Sequence, residues 1–295
     1  MNKIIVIIGP TGVGKTKLSI ELAKKLNGEI INGDAIQVYK HLDIGSAKVN
    51  ESEKENIPHH LFDIKEVNEE YSIYDYQIDC RNKIKEIQAK NKTVIIVGGT
   101  GLYIKSALYN YTLEKTPPIK NDYEELSTEE LYHLLLSIDP DTNLDKHNRR
   151  RIIRAINYYN SSNKSITTNN DGSNLLYDAI FIGLTTDRSI LYNRINMRVD
   201  KMFNDGLLEE VKSFYDKGIK TKPLLNGIGY KELYKYLDGN YTYEEAIEKI
   251  KQNSRHYAKR QYTFFNHQLP IVWFETDFTN FNNTIEKVSN YIEHN

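Results

Sequence analysis

"IIVIIGPTGVGKTKLSIELAKKL", residues Ile4 to Leu26, decides the fold. Five apolar residues run up to Gly9, a turn carries Gly9, Gly12 and Gly14, and Lys15 and Thr16 open a segment whose Leu18, Leu22 and Leu26 recur at helical spacing. The order is strand, loop, helix. The pattern G-x-x-x-x-G-K-[ST] is met by Gly9, Gly14, Lys15 and Thr16 in the context that makes such a match meaningful. The loop that also holds Pro10, Thr11, Gly12 and Val13 is therefore expected to wrap its backbone N–H groups around a phosphate, with the helix N-terminus adding partial positive charge. Lys15 supplies a point charge, and the Thr16 hydroxyl is the candidate ligand for Mg²⁺. What hangs off the phosphate is not written in the loop.

Further strand-like runs lie at 93–97 and 179–184 and, more weakly, at 29–32 and 271–274, with helical patterns between them. Apolar strands alternating with helices predict an α/β fold, a parallel sheet covered on both faces. Residues 71–90 read as a helix with Ile73, Tyr76, Cys80, Ile84 and Ile87 on one stripe. Residues 113–145, with Pro117-Pro118 and Asp139-Pro140, break the rhythm and read as a short, mainly helical insertion into a core of 1–112 and 146–295. A polar loop is expected at 167–174. After 185 the patterns are helical, at about 187–204, 206–217, 226–237 and 242–265. In the first of these, Arg194 and Arg198 lie four residues apart, so two cations are expected to face one place.

At 295 residues with 39% hydrophobic content the chain can bury a sizeable core. No apolar run approaches the ~20 residues of a membrane span, and the N-terminus enters the first strand without a basic-then-apolar leader, so the protein is expected in the cytosol, off the membrane. One cysteine, Cys80, excludes an intrachain disulfide and a Cys-based zinc site. Net charge is −1, from 39 Lys+Arg against 40 Asp+Glu, so affinity for nucleic acid must come from a local patch.

Two more stretches carry chemistry. In "INGDAIQVYKHLDIGSAK", residues 31–48, Asp34 stands at the end of a short strand, where an open α/β sheet places ligand groups. From spacing alone, a Mg²⁺ ligand or a helix cap fits it equally well. In "VIIVGGTGLYIKSALY", residues 94–109, a strand again runs into a glycine turn, and Thr100 presents a hydroxyl between Gly99 and Gly101. Two basic clusters follow: Lys146, His147, Arg149, Arg150, Arg151 and Arg154 in the first, Lys251, Arg255, His256, Lys259 and Arg260 in the second, where Tyr257, Tyr262, Phe264 and Phe265 are interleaved. Basic residues mixed with aromatics suit phosphates and unstacked bases, although such runs are often solvated helix faces.

Taken in order, GPTGVGKT, NGDAIQVYKHLDIGSAK, IPHHLFDI, VGGTGLYI, LYNRINMRVDKMFNDGLLEEV, IGYKELYKYLDG and SRHYAKRQYTFF resemble the signature blocks of the tRNA dimethylallyltransferase (isopentenyltransferase) family. The resemblance runs from residue 4 to about 265. It implies a P-loop core with a helical insertion, and a dimethylallyl group moved from dimethylallyl diphosphate to N6 of the adenosine 3′ to the anticodon, in tRNAs reading codons that begin with U. The loop would hold a leaving diphosphate with Mg²⁺, helped by Arg198. Asp34 would act as general base and Thr100 would position the base or its amine. Asp34, Ala35, Ile36 and Gln37, with Arg150, Arg151, Arg154, Arg255, Lys259 and Arg260, would contact the tRNA anticodon stem-loop, whose target base must flip outward. A monomer is expected. Ala35 stands where the family commonly has Ser, Ser254 and Phe264 replace Thr and Trp, and the insertion is shorter than usual. The rival readings are a P-loop kinase using ATP on a small acceptor and a catalytically silent RNA-binding protein.

Overall fold

The computed structural model describes residues 3–113, 123–166 and 172–295. β1 (Ile4–Ile8) passes through the glycine loop into α1 (Lys15–Lys25), and β2 (Gly28–Asn32) follows. β3 (His59–His60), α2 (Ile73–Ala89), β4 (Thr93–Gly98) and α3 (Gly101–Leu108) complete the first half. Then come α4 (Thr128–Ile138), α5 (Arg149–Ser162), β5 (Ala179–Thr185), α6 (Arg188–Asn204), α7 (Leu207–Tyr215), α8 (Lys222–Asn226), α9 (Tyr230–Leu237), α10 (Tyr243–Gln268), β6 (Val272–Glu275) and α11 (Phe281–Glu293).

The strands form one parallel sheet in the order β3-β2-β4-β1-β5-β6. β1 sits inside it, flanked by β4 and β5, and each of its five residues is buried. Ile5, Ile7, Ile30 and Ile95 pack with Leu18 and Leu22 of α1 and with Ile285 and Val288 of α11. The alternate residues Ile4, Val6, Ile8, Ile31 and Ile96 point to the other face and are equally buried. A strand apolar at every position is what burial on both faces demands.

Local signals set several boundaries. Ser72 and Asp75 form a capping box at the start of α2, and Thr242 and Glu245 do the same for α10. On α2, Tyr76, Cys80, Ile84 and Ile87 of the expected stripe are fully buried, while Ile73, at the first turn, is half-buried. The single helix expected at 226–237 is instead α8 and α9, parted at Gly227 and Gly229. The polar loop expected at 167–174 falls in large part, at 167–171, outside the described residues, as does the Pro117-Pro118 pair.

The chain divides into two compact units, one of residues 1–108 and 177–295, the other Tyr109–Leu176. The second is wider than the insertion expected at 113–145. The reason is packing: Ile152, Ala155 and Ile156 of α5 close on Leu131 and Leu135 of α4. Arg149 ties the same unit together by donating to the carbonyls of Leu126 and Tyr123. The first basic cluster thus belongs to the smaller unit and not to the sheet core.

One close approach matters for the rest. A Cβ placed on Gly98, at the end of β4, would lie 2.2 Å from the Gly33 carbonyl group just after β2. Gly98→Ala should therefore force the two strand ends apart, an overpacking cost of about 1–3 kcal/mol. A urea titration should show a lower midpoint with an unchanged slope, and a wild-type midpoint would contradict the contact.

Candidate active site

The strand order places the ends of β1, β2 and β4 on one rim of the sheet, beside the point where connections leave in opposite directions. A cavity of about 440 Å³ opens there. Thr11, Lys15 and Thr16 line it from the glycine loop, Asp34 to Gln37 from the segment after β2, Gly98 to Thr100 from the turn after β4, and Arg198 from α6. Four stretches far apart in sequence meet in one volume.

The loop after β1 has the geometry its glycines allow. Gly14 is the N-cap of α1 with φ 94°, in the left-handed region that a side chain disfavours. Gly9, Pro10, Gly12, Val13 and Gly14 do not line the cavity with side chains, and Val13 is fully buried in the core. Thr276 Oγ1 donates to the Val13 carbonyl at 3.0 Å, and Arg194 Nε donates to the Gly12 carbonyl at 2.8 Å. The loop is therefore held from outside by two other elements.

Lys15 Nζ donates to the Pro10 carbonyl at 2.7 Å. Burial pushes its ammonium down to about 7, and the Arg198 guanidinium adds to that, with Asp34 opposing it. Arg198 is itself lowered, first by burial, against the pull of Asp34 and Glu53. Two desolvated basic groups that share Asp34 make a site in which an added anion is favourable. Arg194, expected to share this place, does not line the cavity: its guanidinium lies 3.8 Å from the centroid of the Phe278 ring. The helical period brings both arginines to the loop, but only Arg198 turns inward.

Asp34 sits in a turn. Its N–H donates to Asn32 Oδ1 at 2.9 Å, and its Oδ1 accepts the Ile36 N–H at 2.9 Å. The capping expected as an alternative is thus of a turn and not of a helix, and it uses one oxygen only. Thr100 Oγ1 accepts the Ala35 N–H at 3.0 Å, and the Thr100 N–H donates to the Gly33 carbonyl at 3.1 Å. These bonds lock the second and third stretches to each other. From α10, Gln261 Nε2 donates to the Gly99 carbonyl at 2.9 Å. Tyr257 also lines the cavity, its phenol pushed up to about 12 by burial and by Asp34.

The basic residues part ways. Arg260 lines the cavity and Lys259 beside it is exposed, while Arg255 donates to Asn196 Oδ1 at 2.6 Å and stays half-buried outside it. Arg150, Arg151 and Arg154 lie exposed on α5 of the smaller unit and line no part of this cavity. Of the interleaved aromatics only Tyr257 reaches it. Phe265 is fully buried, Tyr262 packs on Trp273, and Phe264 lies against Gly101, so most of that stripe is core and not a stacking platform. Gly45 to Ala47, Met202, Lys231 and Gln261 line the cavity without having been singled out for it in the sequence. They come from stretches already visible as signature blocks, yet no residue type or spacing there names a role.

The family description "IPP transferase" matches residues 37–268. The chain belongs to that family. Among curated relatives, the tRNA dimethylallyltransferase of Anoxybacillus flavithermus is 50% identical over 99% of this chain and 96% of its own length. That of Geobacillus kaustophilus is 48% identical over the same shares. Among solved structures, the tRNA isopentenylpyrophosphate transferase of Bacillus halodurans is 40% identical, with a TM-score of 0.77 and coverage of 100% of this chain and 96% of that one. A eukaryotic dimethylallyltransferase described as acting on tRNA is 32% identical with a TM-score of 0.85, covering 98% of this chain and 78% of that one. The enzyme class expected from the sequence, a prenyltransferase of tRNA, is the class these IPP transferases carry.

Lys15 offers a direct test of the anion site. In the free protein the unfolded chain binds more protons than the folded one between pH about 7 and the ordinary lysine value of 10.5, so this group makes stability rise with pH across that window. A bound diphosphate favours the charged form and pulls the pKa back up. Calorimetry of diphosphate binding near pH 8, in buffers of different ionisation enthalpy, should show proton uptake that Lys15→Met abolishes. Uptake persisting in the variant would place the titration elsewhere.

Proposed function

We propose that this chain transfers the dimethylallyl group of dimethylallyl diphosphate to N6 of adenosine 37 in tRNAs reading codons that begin with U, releasing diphosphate. The observation that supports it best is the shared cavity: an anion cradle at Lys15 and Thr16 and a carboxylate at Asp34 open onto one volume, with Arg198 between them in charge. Alkyl transfer to an amine needs a group to take the proton that the amine loses, and Asp34 stands where one is needed.

The adenine amine is a poor nucleophile because its lone pair is delocalised into the ring. As N6 attacks the allylic carbon, the carbon–oxygen bond breaks, its electron pair leaves with the diphosphate, and one N6 proton passes to Asp34. The Asp34 oxygen not engaged by Ile36 N–H is the one available for that proton. Thr100, on the turn after β4 and bonded to the Ala35 N–H next to Asp34, would align the amine. Lys15, the loop N–H groups and Arg198 stabilise the charge that grows on the leaving group.

Mg²⁺ fits this site in a limited way. Among the described residues no group of three His, Cys, Asp or Glu could hold a metal ion, so the Thr16 hydroxyl would be joined by diphosphate oxygens and water, a donor set Mg²⁺ accepts. When bound there it would neutralise the leaving diphosphate.

The target base reaches such a cavity only by leaving its stack, at a cost of a few kcal/mol. Arg260, which lines the cavity, and its exposed neighbour Lys259 would offer charge to flanking phosphates, and Arg150, Arg151 and Arg154, exposed on the smaller unit, are proposed as further tRNA contacts. A protein of this kind acts in the cytoplasm, and a monomer suffices for the chemistry described.

The deciding assay incubates the chain with labelled dimethylallyl diphosphate, Mg²⁺ and unmodified tRNA. Label entering tRNA supports the proposal, and ATP consumption with a small acceptor in its place would overturn it. Asp34→Asn should lower kcat by about 10²–10⁴ while tRNA affinity stays close to wild type. Equal losses in both would remove the general-base role. Lys259→Ala should weaken tRNA binding and flatten its salt dependence by about one unit of slope, which filter binding across salt concentrations measures.

A further inference from the structure

Gln37 lines the cavity, and its amide is already half committed. Nε2 donates to the carbonyls of Ser46 at 3.0 Å and Ala47 at 3.4 Å. Oε1 makes no hydrogen bond among the described residues and is not sealed from solvent. Turning the amide over would set Oε1 against two carbonyl oxygens, so the partners fix Nε2 as the committed end and leave Oε1 for a ligand. Gln37 can thus offer the cavity an acceptor and nothing else.

The loop that imposes this orientation is itself held by a single carboxylate. Glu210, in the first turn of α7, accepts the Asp43 and Ile44 N–H groups on Oε2 at 3.0 and 2.7 Å, and the Gly45 N–H on Oε1 at 3.1 Å. The Tyr230 hydroxyl, on a fully buried ring, donates to Oε1 at 2.6 Å. The same ring lies so close to Gly45 that a Cβ there would come within 2.6 Å of it. Four donors converging on one carboxylate make a charge-assisted anchor that fixes the backbone just ahead of Ser46 and Ala47.

We propose that Glu210 is a positioning residue for base recognition: by anchoring residues 43–45 it holds Gln37 as an acceptor-only reader of the exocyclic amine of the flipped adenine. This rests on the function proposed above and deepens it. The donor that adenine presents on its base edges is N6–H₂, since N7 and N1 accept. That amine carries two N–H bonds. Asp34 takes one and Gln37 Oε1 accepts the other, which holds the nitrogen in a defined plane before attack. A guanine would set its O6 acceptor against Gln37 and be repelled.

The test compares equilibrium binding of two anticodon stem-loop RNAs, one with adenosine and one with purine ribonucleoside, which lacks the amine, at the target position. Full-length protein with inorganic diphosphate and Mg²⁺ is used for the wild type, Gln37→Leu and Glu210→Gln. The wild type should prefer adenosine, and Gln37→Leu should lose about threefold to tenfold of that preference, the worth of one hydrogen bond. Glu210→Gln, which places an amide among N–H donors, should lose a similar share while its diphosphate affinity stays unchanged. Tyr230→Phe removes one of the four donors and should shift the ratio in the same direction by less, which covers the case of a poorly folded Glu210→Gln. An unchanged ratio in Gln37→Leu, or an equal loss for both RNAs in Glu210→Gln and Tyr230→Phe, would overturn the inference. A ratio that responds instead to the base 5′ of the target would overturn it in favour of a neighbouring base. Failure of the wild type to bind either RNA would overturn the function proposed above together with this inference.

Discussion

The contact of Gly98 with Gly33 is the constraint on which the site depends. Two strand ends can approach so closely only because Gly98 has no side chain to meet the Gly33 carbonyl. That approach lets the Thr100 N–H reach the Gly33 carbonyl and brings Thr100 Oγ1 to the Ala35 N–H. With those bonds made, Asp34 and Thr100 share one wall of a cavity whose other wall is the anion cradle. A parallel sheet with β1 in its interior supplies the rest, since it delivers every loop to the same rim.

The electrostatics of the cavity follow from burial. Lys15 and Arg198 are both desolvated, and they share the pull of Asp34, with Glu53 acting on Arg198 as well. Such a site is strained toward an anion. A diphosphate satisfies it, and the same deficit keeps Asp34 attracted to its surroundings while one of its oxygens stays committed to Ile36. The arrangement at Glu210 is the mirror case, in which loop N–H donors converge on a carboxylate and the loop becomes rigid.

Legibility in the sequence tracked periodicity. β1 is apolar throughout and β4 and β5 are so except for a terminal threonine each, and α2 carries its stripe within one residue or two of where spacing put it. β3, only His59 and His60, is too short to show a period. α5 was masked by its arginines, because Ile152, Ala155 and Ile156 form a narrow stripe within a highly charged segment, and its pairing with α4 widened the second unit. Among the aromatics beside the second basic cluster, composition offered no way to separate Tyr257, which lines the cavity, from Phe265, which is core.

By itself the sequence determined the strand-loop-helix at residues 4–26, the parallel α/β class, the candidate residues Lys15, Thr16, Asp34 and Thr100, and, through its ordered blocks, the family. These are local properties, written in spacing and residue type. Only the tertiary structure decided that Arg198 faces the cavity while Arg194 braces the loop, that Gln37 commits its amide nitrogen to the Ser46 and Ala47 carbonyls, and that Glu210 holds the neighbouring segment. Each of those facts depends on which partner a side chain meets across the fold, and a one-dimensional pattern carries no record of a partner 166 residues away.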